Sequence, residues 1–190
     1  MKYDLIKRFL DILFACAFLI FGAPFLLIIA FLVKKSSPGP AFFCQRRIGK
    51  EGSKFIMLKF RTMYSNAPKN VATNLFKNPN KFITPLGAML RKTSLDETPQ
   101  AFNILLGHMS FVGPRPALPN QTELLKARIK NGSYKLRPGL TGLAQVNGRD
   151  EIPEKRKAAL DGRYLKNYGA KQDIKIIIKT LKSIIKQDGR

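Results

Sequence analysis

Two adjacent carboxylates, Asp96 and Glu97, are the only acidic residues between Glu51 and Glu123. They come directly before a predicted helix start at Thr98-Pro99, where exposed N–H groups stabilise negative charge. Nearby cations act in the same direction, so we expect Asp96 to be ionised at neutral pH. An ionised carboxylate suits a nucleophile or a metal ligand. The other charged residues of this stretch are all basic: Lys54, Lys59, Arg61, Lys69, Lys77, Lys81, Arg91, Lys92 and Arg115.

The acid pair also has a purely structural interpretation. Ser94-Leu95-Asp96-Glu97 fits the S-x-x-E capping box, in which the acid only helps to begin a helix. The tetrapeptide alone leaves catalysis and capping open.

Several basic residues occupy positions that would suit a phosphate site. Lys59 and Arg61 alternate on a predicted strand and would project to one face. Arg115 lies between two prolines, and Arg137 and Arg149 flank a glycine-rich loop. Arginine forks match phosphate oxygens, and backbone N–H groups of such loops add to them. Each cation alone also fits a solvated surface charge, but their joint placement in tight turns favours phosphate binding.

The composition predicts one compact domain with an anionic partner. The chain has 190 residues, 34 Lys and Arg against 12 Asp and Glu, and a net charge of +22. Nucleic acid, an anionic membrane face or phosphorylated substrates would all fit. Cys16 and Cys44 form no C-x-x-C pair, so no zinc site or disulfide framework is predicted. The single histidine, His108, argues against a Ser-His-Asp triad.

Residues 12–33 contain no charge and are long enough to cross a bilayer as a helix. Pro24 removes a backbone donor near the middle, which predicts a sharp bend. Both flanks are basic, and basic flanks prefer the cytoplasmic side. The residues alone leave a re-entrant segment and a spanning helix open.

The rest of the chain predicts short elements around these residues. Thr98 should cap a short helix over 99–106, and 121–130 should be helical. Residues 64–81 should be loop or short helix, and 137–149 a structured loop. A hairpin should pair 41–48 with 53–60 through a turn at 49–52.

The last predicted helix, over 171–187, is amphipathic. Its isoleucines and Leu181 follow helical spacing, and its lysines fall on another face. Such a helix fits an anionic membrane surface. A helix packed on the protein's own core with solvated lysines fits equally well.

These stretches, taken in order, resemble the monotopic phosphoglycosyl transferases, the bacterial sugar transferase family, over nearly the whole chain, and the length resembles the small single-domain members. Each stretch is moderately specific and the ordered set is highly specific. The matching stretches are 38–40, 45–49, 58–63, 94–100, 109–116 and 137–149.

The resemblance implies a ping-pong transfer of a sugar 1-phosphate from a UDP-sugar to undecaprenyl phosphate. Asp96 would attack the β-phosphate, UMP would leave, and the lipid phosphate would then attack the aspartyl-phosphosugar. Glu97 would assist, and Asp96 and Glu97 would bind Mg²⁺. The implied substrate- and phosphate-binding residues are Lys59, Arg61, Arg91, Arg115, Arg137, Gln145, Asn147, Arg149 and Asp173.

The resemblance also implies an α+β, mainly helical fold with a small β-hairpin and interfacial amphipathic helices. Residues 1–35 would be a re-entrant membrane helix kinked at Pro24, and 36–190 a catalytic domain on the cytoplasmic face of the bacterial inner membrane. The family usually has Ser-Pro at the kink, whereas this chain has Ala23-Pro24. The missing hydroxyl leaves the depth and angle of the bend open.

Two rival functions remain to be weighed against this one. A membrane-tethered nucleic-acid-binding protein fits the charge but leaves the acid pair without a purpose. A non-enzymatic scaffold would tolerate the loss of Asp96. We expect no nucleic-acid partner, anionic lipids around the basic face, and an N-acetylated UDP-sugar as donor. The sequence does not identify the sugar, the glycan pathway or the oligomeric state.

Overall fold

A computed structural model describes residues 2–68, 79–148 and 152–185. The fold is α+β and mainly helical, as predicted. Its helices are α1 (Lys2–Ser36), α2 (Pro85–Lys92), α3 (Gln100–Leu105), α4 (Thr122–Asn131), α5 (Glu154–Lys166) and α6 (Ala170–Ile185). Its strands are β1 (Phe42–Ile48), β2 (Lys54–Phe60), β3 (Ser110–Val112) and β4 (Gly139–Thr141).

The long helix α1 contains the apolar segment. Tyr3–Ser36 is long and apolar enough to cross a membrane, by length and composition, and most of its large apolar side chains are exposed. Pro24 lies inside α1, which continues as one helix on both sides of it. The predicted bend is therefore not a break in the helix, and re-entry, like the division at residue 35, stays a prediction.

The predicted hairpin is confirmed. β1 and β2 pair antiparallel from Phe42 opposite Phe60 to Ile48 opposite Lys54. Its two faces pack against different parts of α1, because side chains alternate along a strand. One cluster contains Ala15 of α1 with Phe55, Met57, Ile104 and Met109. The other contains Ile29 and Val33 of α1 with Phe60 and Leu90.

The glycine-rich segment is structured, but it contains elements that its sequence did not predict. β3 and β4 pair in parallel, and Gly113 N–H donates to Thr141 O at 2.8 Å. A Cβ on Gly142 would meet Gly113 O at 2.0 Å, so this approach of two backbones requires glycine. Strands of three residues show no readable alternation, which is why they were missed.

Helix α6 resolves the two interpretations of its amphipathic pattern. It contacts the rest of the protein through Asp173, Ile176 and Thr180. Its main apolar face is instead exposed and comprises Ile174, Ile177, Ile178 and Leu181. The isoleucine-rich face is therefore not the face that packs on the core.

Candidate active site

The acid pair lies in a tight turn between α2 and α3. Ser94 adopts a left-handed conformation with φ 58°, and Leu95–Glu97 form one 3-10 turn. The Ser94 side chain makes no capping hydrogen bond, so the capping-box interpretation is wrong. Thr98 is not an N-cap either: it is already helical, and its hydroxyl donates to Leu95 O at 2.7 Å.

Asp96 is buried, with 8% of its surface exposed. Within the described ranges, no group forms a hydrogen bond or an ion pair with its carboxylate. Burial raises the pKa of Asp96, and the neighbouring Glu97 adds to this, while Lys59, Arg91 and Arg115 lower it. The prediction of an ionised Asp96 considered the cations but not the burial that opposes them.

Glu97 is held by two cations from separate parts of the chain. Its Oε1 lies 2.5 Å from Lys59 Nζ, at the end of β2, and 3.6 Å from an Arg115 guanidinium nitrogen. Arg91, on α2, donates from Nε to Thr62 Oγ1 at 2.8 Å and acts electrostatically on both carboxylates. The structure thus brings three of the predicted phosphate-binding cations around the acid pair.

A large open cavity of about 2390 Å³ adjoins this cluster, and Lys59, Asp96, Glu97 and Arg115 all line it. Another part of its wall is apolar and comes from α1 and α6, with Leu10, Phe14, Phe18, Ile177 and Leu181. A cavity that joins cationic and apolar walls can hold a phosphate attached to an apolar chain.

Two of the predicted phosphate-binding arginines donate to backbone carbonyls, although one of them, Arg61, also lines the cavity. The Arg61 guanidinium donates to Val33 O at 3.1 Å, to Ser37 O at 2.7 Å and to Pro38 O. It therefore clamps the end of α1. Arg137 donates from Nε to Gly107 O at 3.2 Å and does not line the cavity of the acid pair.

The predicted site residues of the glycine-rich loop differ in their placement. Gln145 lines the cavity, and its Oε1 is buried without a hydrogen-bond partner in the described part of the chain. Asn147 donates to Leu143 O at 2.7 Å and is exposed. Arg149 lies outside the described residues.

Asp173, which the resemblance implied as a substrate- or phosphate-binding residue, lines the cavity and forms a second carboxylate centre whose partners the sequence did not reveal. It accepts hydrogen bonds from Tyr3 and Tyr164, each at 2.6 Å, and from the ammonium of Lys7. Burial, followed by the Asp173 charge, raises the pKa of Tyr164 far above its usual value. These partners come from residues 3, 7 and 164, so spacing along the chain could not identify them. The only signal was an isolated acid in an otherwise basic helix.

Both ends of α1 contact the same domain. Near its beginning, Asp11 accepts from Ser110 Oγ and Phe111 N, both at 3.1 Å. Near its end, Val33 O accepts from Arg61. The two ends of the apolar segment are thus both attached to the same domain.

The acid pair could contribute two oxygen ligands to a metal ion. Mg²⁺ in phosphate-transferring sites is usually held by one or two carboxylates together with substrate phosphates. Asp96 and Glu97 fit that mode, because both line the cavity. Residues 2–68, 79–148 and 152–185 contain no group of three or more His, Cys, Asp or Glu positioned for a metal. A metal here would therefore need further oxygens from the substrate.

Comparison with known proteins indicates the family of this chain. The family model described as bacterial sugar transferase matches residues 2–187. The exopolysaccharide production protein ExoY of Sinorhizobium fredii is 37% identical over 94% of this chain and 84% of the relative. The UDP-glucose:undecaprenyl-phosphate glucose-1-phosphate transferase of Caulobacter vibrioides is 38% identical over 97% of this chain and 72% of the relative.

Some relatives are much longer than this chain. The undecaprenyl-phosphate galactose phosphotransferase of Salmonella typhimurium is 34% identical over 97% of this chain but only 41% of its own length. The match to the family model covers nearly all of the chain. The chain therefore belongs to the bacterial sugar transferase family and is an enzyme of the phosphoglycosyl transferase type.

Proposed function

We propose that this enzyme transfers a sugar 1-phosphate from a UDP-sugar to undecaprenyl phosphate and releases UMP. The proposal rests mainly on the surroundings of Asp96. This buried carboxylate lines the cavity, has three cations near it and has no hydrogen-bond partner in the described ranges. A buried carboxylate is costly unless it is paired, so its place here suits a group that reacts with a bound ligand. The names of the Caulobacter and Salmonella relatives support the same class of reaction.

In the first step, a carboxylate oxygen of Asp96 attacks the β-phosphorus of the UDP-sugar. An O–P bond to Asp96 forms, and the bond from that phosphorus to the bridging oxygen breaks. UMP departs with the bridging oxygen and its electron pair. Lys59, Arg91 and Arg115 neutralise the negative charge that gathers on the phosphate oxygens. Asp96 and Glu97 would hold a Mg²⁺ ion, which would supply further charge neutralisation when bound.

In the second step, a phosphate oxygen of undecaprenyl phosphate attacks the same phosphorus. The bond to Asp96 breaks, and the carboxylate is regenerated as the lipid-linked product forms. Glu97 keeps Lys59 and Arg115 in place through its two ion pairs in both steps. Two displacements at one phosphorus give ping-pong kinetics.

The exposed apolar surfaces support a proposed placement in the membrane. The acceptor phosphate is fixed at the membrane surface by its apolar tail, so the reacting carboxylate must lie at that depth. We place α1 in the inner membrane and the apolar face of α6 on its cytoplasmic surface, with the α6 lysines among anionic lipid headgroups. Both ends of α1 then lie on the cytoplasmic side.

Labelling tests this topology. A Lys2→Cys variant without Cys16 and Cys44 should resist a membrane-impermeant thiol reagent applied to intact cells. Adding Pro24→Ala should straighten α1 and increase labelling. Labelling of the parent variant at the rate of a known external cysteine would overturn the one-sided topology.

The donor sugar is proposed only as a class. We propose an N-acetylated UDP-sugar, whereas the two relatives are named for glucose and galactose. The donor panel should therefore contain UDP-glucose, UDP-galactose and their N-acetylated counterparts.

The decisive experiment measures UMP release by the purified protein in detergent with undecaprenyl phosphate, Mg²⁺ and this panel. Release with one donor should disappear with Asp96→Asn and with a chelator. Glu123→Gln removes an exposed carboxylate elsewhere and should leave the rate unchanged. Near-normal turnover by Asp96→Asn would overturn the nucleophile. No release with any donor would contradict the reaction, and a nucleic-acid titration would follow.

A further inference from the structure

Asn103 is a buried polar residue that the proposed reaction does not use. Only 1% of its surface is exposed, and it does not line the cavity of the acid pair. Its Oδ1 accepts from Leu58 N at 2.9 Å, and its Nδ2 donates to Ile56 O at 2.7 Å. Reversing the amide would place donor against donor and acceptor against acceptor, so the contacts define its orientation.

These two bonds complete the open edge of β2. β1 occupies the other edge of this strand. A residue of a third, parallel strand would bond Ile56 O and Leu58 N in the same way, because parallel pairing engages the residues on either side of one position. The Asn103 amide therefore acts as a one-residue strand that joins α3 to β2.

The position of this joint matters for the acid pair. Leu58 directly precedes Lys59, and Lys59 holds Glu97 at 2.5 Å. After Glu97 the chain enters α3, and Asn103 of α3 bonds Leu58, the residue before Lys59. The Asp96–Glu97 turn and α3 are therefore attached to β2 at two places, through the flexible side chain of Lys59 and through the shorter amide of Asn103. The amide joins α3 to β2 by directed hydrogen bonds, beside the apolar contacts of Ile104 with Phe55 and Met57.

We propose that Asn103 is a positioning residue, whose side-chain amide sets the distance between the Asp96–Glu97 turn and the ammonium of Lys59. The proposal rests on the proposed function for its kinetic consequence. Misplacing a reacting group by about 1 Å can cost about 100-fold in rate. Loss of the Asn103 clamp should therefore reduce kcat while substrate binding at the cavity wall is retained.

The first measurement is independent of turnover. Lys59 is 15% exposed in its side chain and Lys126 is 74% exposed, so acetic anhydride should modify Lys126 much faster. In Asn103→Leu, which has the same size but no amide, modification of Lys59 relative to Lys126 should rise several-fold by mass spectrometry. An unchanged ratio would overturn the positioning role, even if no donor gave turnover.

The second measurement separates positioning from general destabilisation. Asn103→Leu and Asn103→Asp should each lower kcat about 10- to 100-fold, with the donor KM within about threefold of the wild type. Ile176→Ala creates a cavity in a separate cluster with Val112 and Tyr164. Compared at equal folded fraction, it should retain kcat and the labelling ratio.

Asn103→Asp keeps the size and the acceptor toward Leu58, so it carries the test if the leucine variant does not fold. Wild-type kcat in the aspartate variant, or the same loss in Ile176→Ala, would overturn the proposal. Inactivity of the wild type with every donor would instead count against the proposed function, and the labelling ratio would still decide the role of Asn103.

Discussion

Asp96 and Asp173 are both buried carboxylates that line the same cavity, with 8% and 6% of their surfaces exposed, yet they differ in the bonds that they already make. Asp173 accepts from two tyrosine hydroxyls and one ammonium, whereas Asp96 has no such partner in the described ranges. A saturated carboxylate stabilises the fold and cannot easily take part in a reaction. An unpaired one beside a cavity can bind a new group. Burial alone therefore does not separate the proposed nucleophile from a carboxylate that supports the fold; the number of bonds that each already makes does.

The largest effect should come from removing the charge of Asp96. Asp96→Asn should lower turnover at least about 10⁴-fold, because an amide oxygen is a poor nucleophile. The thermal unfolding midpoint should not fall, since no contact in the described ranges is lost. A steady-state assay and a thermal melt of the same preparation check both. A lower midpoint would show that Asp96 supports the fold.

Removing the side chain of Asp173 should have the opposite effect, with a large loss of stability and a smaller loss of turnover. Asp173→Ala leaves the Lys7 ammonium buried and unpaired, which should lower the free energy of unfolding by about 3–5 kcal/mol. Denaturation in detergent measures this change. At equal folded fraction, the remaining turnover should exceed that of Asp96→Asn by far. Equal losses of turnover would mean that Asp173 also acts on substrate.

Tyr164→Phe removes one of the three bonds to Asp173 and keeps the aromatic packing. We expect a loss of about 1.5–3 kcal/mol, because the bond joins a hydroxyl to a charged group. The same denaturation assay measures it. Tyr134→Phe, which changes a tyrosine outside this cluster, is the matched control, and an equal effect of both would argue against a special role for the Asp173 centre.

Arg115→Gln should have the smallest effect on stability. Its contact with Glu97 is 3.6 Å, and Glu97 keeps Lys59 at 2.5 Å. We expect a change of about 0–1 kcal/mol in the free energy of unfolding, as for a partly exposed ion pair. Turnover should still fall, because a phosphate-binding cation is lost. A thermal melt and a rate measurement of the variant check this. A large fall in the unfolding midpoint with little loss of turnover would show that Arg115 has a structural role instead.

The same contrast explains what the sequence could predict about the site. Asp96, Glu97, Lys59 and Arg115 were predicted as site residues because of their charges and local sequence context, and the structure brings them together at one cavity. Asp173 was predicted only as a substrate- or phosphate-binding residue, and its partners were missed because they are more than a hundred residues away on α1 or lie on α5. Arg61 carries the same charge as Arg115, but its neighbours are backbone carbonyls, and only the packing of α1 reveals them.

Helices α2 and α5 were not predicted. α5 has few apolar residues, and its buried face is made of Ala158, Asp161, Gly162 and Tyr164. Arg128 of α4 donates to Asp161 at 2.8 Å, so a buried ion pair contributes to the packing of these two helices. A pattern based on apolar spacing cannot detect a face that is held in this way.

The sequence by itself determined the family, the hairpin, the long apolar helix and the isolated acid pair, because each depends on residues close together in the chain. Only the tertiary structure decided which of the basic residues surround Asp96, which face of α6 is left exposed, and that Asp173 is saturated. The physical reason is that a charged side chain takes its role from its neighbours in space, and those neighbours come from distant elements whose packing no local pattern records.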